Sequence, residues 1–203
     1  TLMGVEEADA LLLIGTNPRV EAAVWNARIR KSWLWGELKV GVIGQAADLT
    51  YEYDHLGTGG DALANIADGD FYNVLKNAKR PMIVVGEGAL CREDGQAILA
   101  AAQRLALDVG AVTDGWAGFG VLHNAAGRVG ALDVGFVPGE NGKSTSDILG
   151  DGLETIVLLG ADEADLSALG GATVIYVGSH GDAGAARADI ILPCATYTEM
   201  NAT

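Results

Sequence analysis

The chain of 203 residues carries a formal net charge of −14, and 49% of its residues are hydrophobic. Its length allows one large α/β domain or two small lobes. The negative charge argues against binding to a nucleic-acid backbone, which requires clustered Lys and Arg. No apolar run approaches the roughly 18 residues that cross a bilayer. We therefore expect no nucleic-acid partner and no direct membrane insertion.

Short apolar runs that end in glycine recur along the chain. They are rich in Val and Ile, and apolar residues at nearly every position are typical of strands buried on both faces. The predicted strands are ALLLIGT (10–16), LKVGVIGQ (38–45), PMIVVGEG (81–88), VGAVTDG (109–115), TIVLLGAD (155–162) and TVIYVGSH (173–180).

Between these runs, apolar residues repeat with helical spacing, in stripes that begin at Val20, Phe71 and Ile98. Each stripe is wide enough to face a sheet. Strands alternating with helices predict right-handed βαβ units in a Rossmann-like α/β fold, with mainly parallel sheets and helices on both faces. The first stripe consists of Val20, Ala23, Val24 and Ala27.

The segment 114–153 is rich in glycine and has little strand or helix periodicity. We interpret it as long loops with one short helix. The sequence thus predicts a first α/β lobe over residues 1–114. We expect residues 115–203 to form these Gly-rich loops and a second α/β lobe.

The stretch GTNP (15–18) follows the first predicted strand. Thr16 and Asn17 could donate hydrogen bonds to a phosphate at a helix N-terminus. Alternatively, Thr16 or Asn17 caps the helix and Pro18 occupies its first turn, which explains the motif without a ligand. The motif by itself leaves both interpretations open.

Other phosphate-binding patterns are incomplete. GENGKST (139–145) has Val137 where a P-loop requires its first glycine, so an exposed turn is the better interpretation. GEGALC (86–91) and GSHGDAG (178–184) do not meet the G-x-G-x-x-G spacing of a dinucleotide site. We therefore expect neither nucleotide hydrolysis nor NAD binding.

The cysteines, Cys91 and Cys194, and the three histidines are widely scattered. Iron–sulfur and structural zinc sites usually need closely spaced thiolates, so we expect no metal ligands here. Cys194 beside His180 could form a nucleophile–base pair, but a free Cys is more often a small buried apolar group, which is the interpretation we favour.

A basic and aromatic cluster comprises Arg19, Arg28, Arg30, Lys31, Trp33 and Trp35. Cations near a helix C-terminus are favoured by the helix dipole without any partner. Trp beside Arg is also common at protein–protein interfaces, so a docking role stays open.

Four segments together resemble the C-terminal region of the large iron–sulfur subunit of respiratory complex I, the 75 kDa or G-type subunit of NADH:quinone oxidoreductase. That region is in turn similar to the molybdopterin oxidoreductase fold. The segments are EEADALLLIGTNPRVEAAVWNARIRK (6–31), NAKRPMIVVGEGAL (77–90), DGWAGFGVLHNAAGRVGALDVGFVPG (114–139) and GSHGDAGAARADIILPCATYTEMNAT (178–203).

The resemblance implies a fragment of that subunit, with the second lobe of residues 115–203 truncated at its C-terminus. This fragment is expected to serve as a structural and interaction domain and to be non-catalytic by itself. The implied partners are other complex I subunits in a complex that passes electrons from NADH to quinone. The implied location is the peripheral arm, on the cytoplasmic side of a bacterial inner membrane or the mitochondrial matrix side. Iron–sulfur clusters are expected in the N-terminal part of the subunit, outside this chain. The alternative is a fragment of a functional molybdopterin-dependent oxidoreductase similar to formate dehydrogenase.

The resemblance also places pterin-type loops on this sequence. Complex I relatives generally keep the pterin fold without its cofactor, and no Cys or Ser here stands out as a metal ligand. We therefore expect a vestigial, empty site and no cofactor in this fragment. The residues that the resemblance assigns to the loops are Gly15, Thr16, Asn17, Gly86, Gly178 and Gly181.

Overall fold

The computed structural model describes residues 2–36, 38–150 and 152–201. The chain divides into two compact units, Thr1–Ala125 and Ala126–Thr203. This division places the strand Phe119–Leu122 in the first unit, whereas the predicted first lobe ends at residue 114.

The first unit is built on a five-stranded parallel sheet with the strand order β3-β2-β1-β4-β7. A separate antiparallel pair, β5 with β6, precedes the last strand of the sheet. The strands are β1 (Ala10–Ile14), β2 (Lys39–Ile43), β3 (Asp54–Gly57), β4 (Pro81–Gly86), β5 (Val112–Thr113), β6 (Trp116–Ala117) and β7 (Phe119–Leu122).

Helices connect these strands and cover the sheet. Two short 3₁₀ helices, Leu2–Glu7 and Ile66–Asp68, accompany them. The α-helices are α1 (Pro18–Glu21), α2 (Ala23–Leu34), α3 (Gly60–Ala64), α4 (Asp70–Asn77), α5 (Glu87–Leu90) and α6 (Gly95–Asp108).

Alternate side chains of β1 enter two separate cores, one on each face of the sheet. Leu11 and Leu13 pack with Trp25 and Ile29 of α2. Leu12 and Ile14 pack on the opposite face against α4 and α6. Burying one such Leu contributes roughly 1.5–3 kcal/mol. The predicted fold class, α/β with mainly parallel strands and helices on both faces, is confirmed.

The predicted apolar stripe of the first helix is wrong. Val20 and Val24 are 79% and 80% exposed, whereas Trp25 and Ile29 are buried. The helix is interrupted at Ala22, whose φ of −150° separates α1 from α2 and shifts the phase between them. Residues on either side of this break cannot share one helical face.

The prediction that VGAVTDG (109–115) forms a strand of the parallel sheet is wrong. Only Val112–Thr113 is extended, and it pairs with Trp116–Ala117 in the small hairpin. The fifth place in the sheet belongs to Phe119–Leu122, which pairs with β4.

The second unit contains a three-stranded parallel sheet of order β10-β9-β8, with one core. Two short α-helices lie in the segment predicted to hold one. The elements are α7 (Arg128–Asp133), α8 (Thr145–Leu149), β8 (Thr155–Leu159), β9 (Thr173–Gly178), α9 (Ala183–Arg187) and β10 (Ile190–Pro193), with 3₁₀ helices at Leu166–Leu169 and Tyr197–Glu199.

In both units, the helices within the described ranges are too short or too polar to cross a membrane.

Candidate functional site

A cleft of about 630 Å³ opens in the first unit where β1, β2 and β4 end. The strand order reverses beside β1, because β2 and β3 lie on one side and β4 and β7 on the other. Open α/β sheets bind ligands at such a reversal, at the carboxyl ends of the strands. The lining of this strand-end cleft includes Gly15, Thr16, Asn17, Glu21, Gln45 and Arg92.

In the loop after β1, the Thr16 hydroxyl, the Asn17 N–H and the Asn17 side-chain oxygen each have a partner within residues 16–21. The Thr16 hydroxyl donates to Oε2 of Glu21 at 2.8 Å, and the backbone N–H of Asn17 donates to Oε1 of Glu21 at 2.8 Å. The side chain of Asn17 accepts from the backbone N–H of Arg19 at 3.2 Å, and Pro18 takes the first helical position. Of the two interpretations of GTNP, the structure shows the cap, with Asn17 as its residue.

Arg19, in the first turn of α1, is also paired. Its Nη1 donates to the carboxylate of Asp48 at 2.6 Å and to the Asp48 carbonyl oxygen at 2.8 Å. The backbone N–H of Thr50 and the Arg19 guanidinium hold the pKa of Asp48 below its usual value. The guanidinium of Arg19 is therefore held in an ion pair with Asp48, in the loop after β2.

Arg92 is the cation among the residues that line the strand-end cleft. Its Nε donates to Oδ1 of Asp94 at 2.7 Å and its Nη2 to Oδ2 at 3.1 Å. This bidentate contact lowers the pKa of Asp94, chiefly through the hydrogen bond. Arg92 thus has a carboxylate partner within its own loop.

Gly15, which lines the cleft, and Gly86, at the end of β4, allow the loops after β1 and β4 to touch. Gly15 has a φ of +58°, a region that favours glycine. A β-carbon on Gly86 would press against the Gly15 carbonyl oxygen and lie 2.6 Å from Cβ of Thr16. These two glycines are therefore explained by backbone packing, with or without a ligand.

The structure brings Gly15, Thr16, Asn17 and Gly86 together within the first unit. Gly178 and Gly181 belong to the second unit, at the end of β9 and in the following loop. A β-carbon on Gly178 would collide with the ring of Tyr176, whereas Gly181 has open space around it. Gly178 thus has a packing role inside its own unit.

Two other sequence candidates have structural explanations. Residues 139–143 form an exposed turn, as predicted, and Ser144 begins a capping box with Asp147 at the start of α8. Cys194 is exposed, so the expectation of a buried apolar Cys is wrong. Nδ1 of His180 contacts the Ser179 hydroxyl at 2.9 Å.

Among the described residues, no group of three or more His, Cys, Asp or Glu side chains is placed to hold a metal ion.

Three cations of the basic and aromatic cluster, Arg19, Arg28 and Lys31, form ion pairs within the first unit. Arg28 contacts Glu6 at 3.2 Å and Lys31 lies 3.8 Å from the same carboxylate, whose pKa the Arg28 hydrogen bond lowers. Lys31 also stacks 4.7 Å above the Trp35 ring. Trp35 and Leu34 nevertheless remain 63% and 60% exposed, so an apolar surface is left at the end of α2.

Sequence reasoning missed Glu21. In a capping box the acidic residue stands three positions after the cap, which here is Val20. Glu21 lies one position further on, and it reaches back to Asn17 from the last position of α1. The Asn-x-x-x-Glu spacing, one residue longer than that of a capping box, is the sequence signal that could have identified Glu21.

Comparison with known proteins shows similarity along the whole chain. The sequence model of the family described as molybdopterin oxidoreductase matches residues 1–203. The mitochondrial NADH-ubiquinone oxidoreductase 78 kDa subunit of Neurospora crassa is 46% identical over 210 aligned residues, covering 100% of this chain and 27% of that protein. The mitochondrial NADH dehydrogenase (ubiquinone) iron-sulfur protein 1 of Solanum tuberosum is 44% identical, covering 98% of this chain and 27% of its own length.

A bacterial relative agrees with these two. The G-type subunit of the NADH-quinone oxidoreductase of Rickettsia felis is 43% identical, covering 99% of this chain and 29% of that protein. The expected resemblance to the large subunit of NADH:quinone oxidoreductase is therefore confirmed. The chain spans less than a third of the length of these relatives.

Proposed function

Because the chain belongs to the molybdopterin oxidoreductase family, we propose that it is part of the large iron–sulfur subunit of an NADH:quinone oxidoreductase. There it acts as a structural and interaction domain, has a vestigial pterin-type cleft and holds no redox centre of its own. The carboxylate of Glu21, which occupies the hydrogen-bond donors of the strand-end loop, is the observation that carries this proposal.

A pterin dinucleotide carries a diphosphate, which needs free N–H or O–H donors and unpaired cations. In the strand-end cleft, Glu21 takes the Thr16 hydroxyl and the Asn17 N–H, while Arg92 is held by Asp94. A second negative charge about 4 Å from Glu21 would be repelled by roughly 4 kcal/mol at an effective dielectric constant of 20. The residues present do not fit the diphosphate.

The relatives supply the rest of the proposal. They are named as subunits of NADH:quinone oxidoreductases, so the partners of this chain are other subunits of such a complex. We place the domain in the peripheral arm, facing the bacterial cytoplasm or the mitochondrial matrix. Iron–sulfur clusters belong to the part of the subunit N-terminal to this chain.

The second candidate is a working molybdopterin-dependent oxidoreductase similar to formate dehydrogenase. One observation favours it: the volume of the strand-end cleft, about 630 Å³, falls within the range of small-molecule sites. On this alternative, Glu21 would have to turn away to release Thr16 and Asn17.

Equilibrium dialysis of the purified protein against a pterin guanine dinucleotide distinguishes the two candidates. We expect no saturable binding by the unaltered chain. Tight binding of one dinucleotide per chain, lost in a Gly15→Val variant that blocks the loop, would support the enzyme instead. A circular dichroism spectrum of each protein is the control for folding.

A further inference from the structure

One face of the sheet in the second unit is apolar and uncovered. In-register pairing places Val157 beside Ile175 and Leu159 beside Val177, and continues to Ile190 and Leu192 on β10. Val157 and Leu159 are 59% and 76% exposed, and Ile190 and Leu192 are about half exposed. We call these six residues the open face: Val157, Leu159, Ile175, Val177, Ile190 and Leu192.

The opposite face of the same sheet is covered along β8 and β9, although Ile191 on β10 is 52% exposed. Ile156 and Leu158 of β8 alternate with the open-face residues, and both are buried. They form a core with Leu166 and Leu169, which lie in the connection from β8 to β9, and Ala185 of α9 packs against this core from the next connection. Both connections therefore lie on one side of the sheet.

This one-sidedness follows from the order of the strands. The chain moves in a single direction from β8 to β9 to β10. Right-handed crossovers that advance in one direction place their connections on the same face. Parallel sheets, however, are found with both faces covered. If the same polypeptide covers the open face, the covering element lies on a connection that runs back across the sheet.

The first unit contains such a return. There the chain advances from β1 to β2 to β3, and the α2 side chains Trp25 and Ile29 cover one face. It then runs back to β4, on the far edge of β1, through α3 and α4. Phe71 and Leu75 of α4 cover the other face on this return. The strands β8, β9 and β10 repeat only the advancing half of this arrangement.

We propose that the open face is covered by an amphipathic helix of the same, longer polypeptide, on a connection that returns to the free edge of β8. The relatives that align with nearly the whole chain are more than three times as long, so their polypeptides have the length to supply it. A second copy is the poorer occupant, because each chain carries a formal charge of −14 and copies repel one another. The covering helix would present apolar residues at i, i+3 and i+4, as α4 does.

Cysteine accessibility tests this proposal. The two exposed cysteines are first replaced, giving a Cys91→Ser, Cys194→Ser background, and Leu159→Cys is introduced as the reporter. Labelling with a water-soluble maleimide is timed for the 203-residue chain, the full-length polypeptide and the assembled complex, and is read by mass spectrometry on the peptide that contains residue 159. We expect fast labelling in the 203-residue chain, and labelling slower by roughly tenfold or more in the full-length polypeptide by itself.

Matched positions keep the result interpretable. Leu158→Cys, on the buried side of the same strand, should be protected in all three forms, and Val157→Cys should repeat the behaviour of Leu159→Cys. Light scattering of each protein reports its oligomeric state and its folding is checked by circular dichroism.

Three results would overturn the proposal. Equal labelling rates in the 203-residue chain and the full-length polypeptide would show that the polypeptide does not cover the face. Protection that arises only in the assembled complex would assign it to another subunit. Protection in the 203-residue chain that accompanies dimer formation would assign it to a second copy. The proposal rests on family membership and the length of the relatives, and binding of a pterin in the other unit would not affect it.

Discussion

The carboxylate of Glu21 closes a ring with Thr16, whose hydroxyl donates to Oε2 at 2.8 Å while the neighbouring N–H of Asn17 donates to Oε1 at 2.8 Å. The protein thus places its own carboxylate at a strand end where the strand order reverses, which is where open α/β sheets bind ligands. These two hydrogen bonds hold the loop after β1 through groups of the chain itself.

Replacing Glu21 by Ala should destabilise the first unit. Thr16 and Asn17 would lose an acceptor in a half-buried loop, and a hydrogen bond to a charged group contributes about 1.5–3 kcal/mol. Glu21→Gln retains one oxygen acceptor and should cost less. Urea unfolding of the two variants and the unaltered protein measures the difference. Equal stability of all three would mean that the ring is not structurally important.

Gly86→Ala should disturb the contact between the loops after β1 and β4. The added β-carbon would lie 2.6 Å from Cβ of Thr16 and against the Gly15 carbonyl oxygen, both on a short loop that cannot move freely. Overpacking of this kind costs about 1–3 kcal/mol. Gly115→Ala is the matched control, because a β-carbon there meets no atom within 4 Å. The measurement is the melting temperature of each variant, and an equal decrease in both variants would contradict this explanation.

Tyr51→Phe should leave a buried acceptor without a partner. The Tyr51 hydroxyl donates to Oδ1 of Asn26 at 2.8 Å, and Asn26 is itself buried and donates to the Leu49 carbonyl oxygen at 3.1 Å. An unsatisfied buried acceptor costs about 1–3 kcal/mol.

Tyr197→Phe serves as the control for the loss of a hydroxyl, because Tyr197 is 84% exposed. Chemical denaturation should show a lower midpoint for Tyr51→Phe and an unchanged midpoint for Tyr197→Phe. A neutral effect of Tyr51→Phe would show that the Asn26 carbonyl finds another donor.

Asp108 should give the first unit a pH-dependent stabilisation. The Tyr72 hydroxyl donates to its carboxylate at 2.6 Å and Lys76 donates at 2.9 Å, and these hydrogen bonds hold the pKa of Asp108 below its usual value. A carboxyl with a lowered folded-state pKa stabilises the protein above its unfolded pKa, about 3.9, and this contribution is lost as the pH falls through the folded value.

The measurement compares melting temperatures of the unaltered protein and Asp108→Asn. The unaltered protein should melt higher at neutral pH, and the gap between the two should narrow as the pH falls below about 4. A gap that stays constant from pH 7 to pH 3 would exclude the carboxylate charge as its source.

Much of the fold could be predicted because buried parallel strands leave a strong sequence signal. The uninterrupted apolar runs ending at Ile14, Ile43 and Gly86 each became a strand of the first sheet. The stripes beginning at Phe71 and Ile98 lie within α4 and α6 and face the core, because each helix is unbroken along its stripe.

The features that the sequence did not predict share a physical cause, because each depends on the local geometry of the backbone or of a side chain. The bend at Ala22 changes which residues of α2 face the sheet, and no periodicity in the sequence reveals it. The strand Phe119–Leu122 is half-buried at the edge of the sheet and contains Gly120, so it lacks a continuous apolar run. The role of Glu21 depends on a side chain that reaches back to the start of its own short helix.

The open face of the second sheet could not be predicted either. In the sequence, its residues belong to apolar runs like those of any buried strand. Only the pairing of β8, β9 and β10 shows that one face of the sheet is uncovered. An apolar run indicates a strand that is buried on both faces of a sheet. It does not indicate which part of the polypeptide packs on each face.

The most direct test of the proposed function is elemental and pterin analysis of the complex purified through a tag on the polypeptide that contains this chain. We expect molybdenum and tungsten far below one atom per chain, and no pterin released on acid extraction, in a preparation that still oxidises NADH with quinone as acceptor. One molybdenum or tungsten atom per chain, together with a stoichiometric pterin, would contradict the account.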